Sequence, residues 1–340
     1  MDLTTYLLRR IGLAFVVLLS VITITFILAH HLGGSIVVAW LGKSAALHPE
    51  LAQVYAQKYH LNDSIWVQFY FYLVAIAHGD LGLSPSRGFQ PVLSVIELTL
   101  PYTLQLVFLA FVISMVIGVL LGVVSAKREH GLVNSGIGAL YMACYSSPPF
   151  FVALVLLIVF AHYSRLLPSG GPVDLGIPQI VRITGFPLVD SLLEGNSAYF
   201  ISGIEHVILP SVALALTTFG VVTRVLRSSL LDVMNLNFIR AVRAKGLDEN
   251  RVFYKHGLRN ALIPVVTLSS LIYTWLITGT IFVENVFAYP GMGQYVVGAL
   301  AGQDYPGILG TAIVFALTIL IGNLVVDILY AVVDPQIRLR

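Results

Sequence analysis

Six stretches of this chain contain no Asp, Glu, Lys or Arg and approach or exceed the length needed to cross a lipid bilayer: Ile11–Ala29, Leu100–Ala126, Gly131–Ser164, Val207–Thr223, Asn260–Val283 and Tyr305–Val326. A spanning helix needs about 20 mostly apolar residues, because each residue rises about 1.5 Å through a hydrocarbon core roughly 30 Å thick. The fourth stretch is the shortest, and Arg224 can extend it by snorkelling. Of the 340 residues only 11% are charged and 57% are apolar, and the mean hydropathy is +0.89. Soluble domains carry about 25% charged residues. These runs predict an all-α polytopic membrane protein with six transmembrane helices.

The basic residues orient it. With six spans and both ends on one side, 14 of the 19 Lys and Arg residues fall on that side: Arg9, Arg10, Lys127, Arg128, the eight between Arg224 and Arg259, Arg338 and Arg340. Lys43, Lys58, Arg87, Arg165 and Arg182 fall on the other. The positive-inside rule therefore predicts that both termini are cytoplasmic. Arg9 and Arg10 precede an apolar run too long for a signal-peptide core, which reads as a retained helix. The expected organisation is an N-terminal span in 1–30, an extracytoplasmic segment in 31–97, a core in 98–333 and a cytoplasmic tail in 334–340. Within the core, 162–205 is an external loop and 224–260 a cytoplasmic one.

The external segment is too long for a bare connector. His48-Pro49-Glu50 reads as a helix start, with Leu51, Tyr55 and Tyr59 along one side. Ile65–Ala77 is apolar and aromatic but too short to span, so it is expected at the interface or against the bundle. His162–Glu205, rich in Gly and Pro, reads as an irregular loop. Between spans five and six, Pro290, Gly291 and Gly293 break the chain, and Gln294–Ala301 can restart as a half-helix. Broken apolar backbone at membrane depth is tolerated where protein buries it or a water-filled path runs past it. Tyr289, Pro290, Gly291, Met292 and Gly293 are thus either part of an external gate or an ordinary external turn.

Signs of catalysis are missing. Gly42-Lys43-Ser44 ends like a phosphate loop, but the glycine required five residues before Gly42 is Val37. The nine histidines form no HExxH or similar metal-ligand spacing, and no GxSxG occurs. The single cysteine, Cys144, lies in an apolar run and reads as packing. Asp327, near the cytoplasmic end of the last span, is expected to pair with a loop arginine rather than carry substrate or protons. Gly118 and Gly122 permit close helix packing, and Pro148-Pro149 should kink or interrupt the third span. A self-contained channel or secondary transporter would call for internal symmetry or a charged mid-membrane site. An intramembrane enzyme would call for a catalytic constellation.

The charged segment Arg224–Pro264 remains. Asn235 or Asn237 can cap a short helix through Phe238–Ala244, Gly246 can close it in the left-handed region, and Asp248 can cap the next helix. Small residues at the turn, Ala241 and Ala244, admit a close partner, and the arginines can pair with its carboxylates. On charge alone, anionic lipid headgroups are the simpler partner.

Residue spacing adds a resemblance. Arg240-Ala241-Val242-x3-Gly246-x9-His256-Gly257-Leu258 resembles the E-A-A-x3-G-x9-I-x-L-P loop of ATP-binding-cassette importer permeases. FIRAVRAKGL, HGLRNALIPVVT, LLRRIGL, HGDLGLS, VENVFAYPGMG and NLVVDILYAVVDPQIR resemble the B-type permease of the dipeptide/oligopeptide branch, in order along the chain. Arg240 stands where the general motif has an acid, and Gly33–His60 and Pro168–Ser202 show no clear match. The resemblance implies the type I ABC importer permease fold and a transport subunit in the cell membrane that is not itself an enzyme. It implies a second homologous permease, two cytoplasmic ATPase subunits that hold ATP and Mg, and an extracytoplasmic substrate-binding protein. Membrane lipid is expected around it, and no nucleic acid. Arg240, Ala241, Val242, Arg243, Ala244, Lys245, Gly246, Leu247 and Asp248 would seat on an ATPase. Peptides are the leading substrate class, with oligosaccharides the alternative and nickel chelates or antimicrobial peptides rarer ones.

Overall fold

The computed structural model describes residues 3–32, 49–58, 60–128 and 131–333. Helix α1 spans Leu3–Leu32, α2 Pro49–Lys58 and α3 Ile65–Ala77, followed by a small hairpin of β1 (Leu83–Ser84) and β2 (Gln90–Pro91). The long helix α4 covers Val92–Lys127. Helices α5 (Leu132–Ser146) and α6 (Pro149–Tyr163) meet at a 111° bend. Helices α7 (Pro187–Glu194), α8 (Ser197–Leu216), α9 (Phe219–Met234) and α10 (Asn237–Ala244) follow. Helix α11 begins at Glu249–Arg251 and winds wide through Val252–Leu258. Helices α12 (Ile263–Val286), α13 (Met292–Gly302) and α14 (Tyr305–Val333) complete the chain.

Among the described residues four helices are long and apolar enough to cross a membrane: α4, α8, α12 and α14. The bent pair α5–α6 makes a fifth if it counts as one crossing, and α1 carries a shorter apolar stretch over Gly12–Leu28. The bend falls at Pro148-Pro149, where the ring of Pro149 opens α6 and its missing N–H costs nothing in a first turn.

Lipid tails are as apolar as leucine, so helices in a bilayer associate through close packing rather than water exclusion. Glycines set the seams here. A Cβ on Gly118 would stand 2.5 Å from Val222 Cβ, and one on Gly122 3.1 Å from Leu226 Cβ, so α4 and α9 pack backbone to side chain. Gly220 makes the same room for Tyr141 of α5, and Gly279 of α12 for Leu214 of α8. The central core, with Leu106, Leu214, Leu226, Leu230 and Leu276 fully buried, lies between α4, α8, α9 and α12. A second core joins α1, α3, the start of α4, α13 and α14, where Phe26 lies 5.5 Å from the stacked Tyr72 ring.

Several sequence boundaries shift. Val207–Thr223 is not one span: α8 begins ten residues earlier, at Ser197, and ends at Leu216. Thr217 and Thr218 break the helix and satisfy the freed groups themselves. Thr217 Oγ1 donates to the Leu214 carbonyl at 2.7 Å, and the Thr218 hydroxyl lies 2.9 Å from that of Ser114. The loop 162–205 is irregular only before Pro187, since α7 and the start of α8 occupy its second half. Helix α3 has the expected limits and packs on α1 through Phe69 and Tyr72, leaving Trp66 outward. Helix α2 starts at Pro49 as expected. The side chains of Leu51, Tyr55, Tyr59 and Asp327 lie outside the described residues.

Candidate functional site

Two places in this frame carry the features singled out in the sequence. The first is the turn after α9. Asn235 is not an N-cap: α9 runs to Met234, so Asn235 closes that helix, donating from Nδ2 to the Leu231 carbonyl at 3.0 Å. Leu236 precedes α10, and no side chain caps it. Gly246 has φ +76°, the left-handed region that glycine enters without a Cβ clash, and its N–H returns to the Arg243 carbonyl at 2.9 Å. Asp248 caps α11 by accepting the Asn250 N–H at 3.0 Å. Across this turn Arg243 grips Glu249 with two bonds, Nη2 to Oε1 at 2.6 Å and Nε to Oε2 at 3.1 Å. The hydrogen bonds from Arg243 hold the Glu249 carboxyl below its usual value.

Arg243 is thus used inside the chain, while Arg240, Ala241, Ala244, Lys245, Gly246 and Asp248 are exposed and Val242 and Leu247 half-buried. Only Ile239 of α10 is fully buried, and Val252 is fully buried in the wide turn of α11 on which α10 packs. Gly257 lets α11 press against the end of α9, since a Cβ there would meet Met234 Sδ at 2.7 Å. The turn is an outward knob rooted under α9.

The second place is the chain break after α12. Glu284, in the last turn of α12, is fully buried. Its Oε1 accepts the Thr103 hydroxyl of α4 at 2.7 Å, and its Oε2 accepts the N–H groups of Gly293 and Gln294 at 2.7 and 3.1 Å. Those N–H groups belong to the open first turn of α13, whose partial positive charge favours a carboxyl oxygen. Thr103 also accepts the Met292 N–H at 2.8 Å. The backbone must come very close: a Cβ on Gly291 would fall within the Glu284 carboxyl, and one on Gly293 would lie 2.6 Å from Ile281 Cα.

Tyr289 is buried as well, with its hydroxyl accepting from Gln105 Nε2 at 3.0 Å while Gln105 Oε1 accepts the Leu188 N–H of α7 at 3.2 Å. The Gly171 N–H reaches the Phe287 carbonyl at 2.9 Å, which ties the loop 162–205 to the same segment. Tyr289–Gly293 is therefore a hydrogen-bonded unit at the junction of α4, α7, α12 and α13. Nearby, buried Asp304 caps α14 by accepting the Gly307 N–H at 2.8 Å. It also accepts the hydroxyls of Ser84 and Ser86, the latter at 2.6 Å, and so anchors the HGDLGLS segment.

Glu284, Thr103, Gln105 and Asp304 were not singled out in the sequence. Asp304, three residues before Gly307, was readable as an N-cap. Glu284 carries one signal, an acid shortly before the Pro290-Gly291-Met292-Gly293 restart, but it lies just past the charge-free stretch that ends at Val283.

Residues 118–339, which include the Arg240–Asp248 turn and Glu284–Gly293 but not Thr103 or Gln105, match the family model of the binding-protein-dependent transport system inner membrane component. The chain belongs to this family. It is an integral inner-membrane permease component, and the matched region starts within α4. The permease is 36% identical over 326 residues to a probable D,D-dipeptide transport system permease protein of Escherichia coli K12, covering 96% of this chain and 95% of the relative. It is 33% identical over 335 residues to the dipeptide transport system permease protein of the same strain, with 98% of each chain covered. The oligopeptide transport system permease protein of Bacillus subtilis 168 is 34% identical over 340 residues, covering 99% of this chain and 100% of the relative.

Proposed function

We propose that this permease is one of two homologous membrane subunits of an ATP-binding-cassette importer for dipeptides or oligopeptides. The observation that carries the reading is the rooted knob at Arg240–Asp248. Its exposed face carries Arg240 and Lys245 with the small Ala241 and Ala244, and its helix packs on the wide turn of α11, which meets the end of α9 at Gly257 and Met234. A partner that moves the knob moves α9, and the Gly118 and Gly122 seam passes that displacement to α4. Helix α4 holds Glu284 through Thr103, so the motion ends at Tyr289–Gly293, which serves as the external gate.

In this reading the chain crosses six times with both termini in the cytoplasm, and the knob faces an ATPase subunit that binds ATP and Mg. The external segments face a substrate-binding protein. Peptides are favoured because the relatives named above are dipeptide and oligopeptide permeases. The test is ATPase activity of the complex isolated through this chain, with its binding protein loaded with peptides or with oligosaccharides. Stimulation by peptides is expected. Stimulation by oligosaccharides alone would overturn the substrate class, and absence of any ATPase under gentle extraction would overturn the importer reading.

A further inference from the structure

Loop 162–205 reaches the broken segment after α12 at two points. The first is direct: the Gly171 N–H donates to the Phe287 carbonyl at 2.9 Å, and a Cβ on Gly170 would fall on that carbonyl. The second runs through one side chain of α4. Gln105 is buried between the two segments and uses both ends of its amide. Its Oε1 accepts the Leu188 N–H at 3.2 Å, and its Nε2 donates to the Tyr289 hydroxyl at 3.0 Å. Leu188 lies in the open first turn of α7, where the cap residue offers no side-chain bond, so Gln105 supplies the missing acceptor.

Both sides of this link are stiff. Asp190 accepts the Thr184 hydroxyl and the Thr184 and Gly185 N–H groups, which pins the approach to α7. Ser202 of α8 donates to Asp174 Oδ2 at 2.8 Å and accepts the Asp174 N–H at 2.9 Å. Gly203 leaves room for Leu188, since a Cβ there would lie 2.8 Å from Leu188 Cδ2. On the other side the Tyr289 N–H donates to the Glu284 carbonyl at 2.8 Å, and the Tyr102 ring meets the Tyr289 ring edge-on at 5.6 Å. A displacement of either side is therefore passed on rather than absorbed.

We infer that α7 and the Tyr289–Gly293 segment move as one gating body, with Gln105 the positioning residue that joins them. The inference rests on the reading of Tyr289–Gly293 as the gate and names a second input to it. A partner that presses on loop 162–205 shifts Leu188, and the amide carries the shift to Tyr289. By the same bonds, motion that arrives along α4 moves the loop together with the gate, as the reciprocity of coupled sites requires. A buried amide suits this task because its bonds are directional. Parting the two sides would strand a buried N–H on one and a buried hydroxyl on the other.

The complex isolated through this chain is assayed for ATPase activity with and without its loaded binding protein. Gln105→Leu should cut the ratio of stimulated to unstimulated activity roughly fivefold, the effect of about one lost hydrogen bond. Gln105→Glu can still accept the Leu188 N–H and bond the Tyr289 hydroxyl, so it should hold the ratio within about twofold. Tyr289→Phe deletes one bond and keeps the ring, and it should fall with Gln105→Leu even if the latter folds poorly. A merely structural role would lower both activities together and leave the ratio unchanged. Spin labels at Leu192→Cys on α7 and Leu300→Cys on α13, both exposed, are placed in a Cys144→Ser background. They should give one narrow distance that ATP does not alter and that Gln105→Leu broadens. An unchanged ratio in both Gln105→Leu and Tyr289→Phe overturns the inference, as does a label distance that shifts with ATP while Gln105 is present. Absence of stimulation in the unsubstituted complex overturns the importer reading, and the label distances then decide the link between loop and gate by themselves.

Discussion

Thr103 and Glu284 form the joint between α4 and the broken segment: the hydroxyl donates to the carboxyl at 2.7 Å and accepts the Met292 N–H at 2.8 Å. Glu284→Gln keeps the shape but spoils the pattern. If the amide oxygen faces Gly293 and Gln294, its NH2 faces Thr103, and the hydroxyl proton loses its acceptor. A loss of about 1–3 kcal/mol is expected for a buried polar group so disturbed. Thr103→Val should cost a similar amount, by stranding the Met292 N–H. Thermal unfolding of the detergent-purified chain measures both.

Glycine content alone does not predict which glycines matter. Gly293→Ala drives a methyl to 2.6 Å from the Ile281 backbone, so it should destabilise by about 1–3 kcal/mol or more. Gly298→Ala, five residues on in α13, meets nothing within 4 Å. It should stabilise by about 0.5–1 kcal/mol, through the lower entropy cost of alanine in a helix. The opposite signs are readable in one unfolding series.

The α4–α9 seam invites a double-mutant cycle. Gly118→Ala places a methyl 2.5 Å from Val222 Cβ and 2.6 Å from its Cγ1. Val222→Gly removes both atoms. The double variant should be more stable than the sum of the single losses by about 0.5–3 kcal/mol. Additive losses would mean that the seam relaxes elsewhere.

In the loop 162–205, burial opposes ionisation of Asp190. Hydrogen bonds from the Thr184 hydroxyl and from the Thr184 and Gly185 N–H groups outweigh it, and the carboxyl titrates below its ordinary value. A carboxyl lowered on folding stabilises fully above its unfolded pKa of about 4, and that contribution fades as pH falls through the folded value. Protease protection of residues 170–190 should therefore hold from neutral pH down to about 4 and fail only below it. Asp190→Asn should be less protected at neutral pH and lose this acid dependence.

Local chemistry was legible in the sequence, and distant partnership was not. Gly246 and Asp248 were readable because a helix end demands a left-handed residue and the next helix a cap, whatever lies around them. The limits of α3 and the break at Pro149 follow from the same kind of rule. Glu284 escaped because its hydroxyl partner lies 181 residues away and because charge-free windows stop at the acid without asking whether it is buried. The Ser84–Asp304 contact joins residues 220 apart and escaped for the same reason. The start of α8 is invisible to a charge-free window because Glu205 bounds it, although the helix continues through that acid.

The central claim is that the knob at Arg240–Asp248 transmits the ATPase motion, and Gly246→Pro tests it most directly. Proline holds φ near −65°, whereas this position needs +76°, so the turn between α10 and α11 cannot close. The measurement is peptide-stimulated ATPase activity of the complex in proteoliposomes, with insertion and pairing of the two permeases verified alongside. Insertion and pairing should persist while stimulation by the loaded binding protein is lost. Full stimulation in Gly246→Pro would contradict the assignment of this knob as the coupling element.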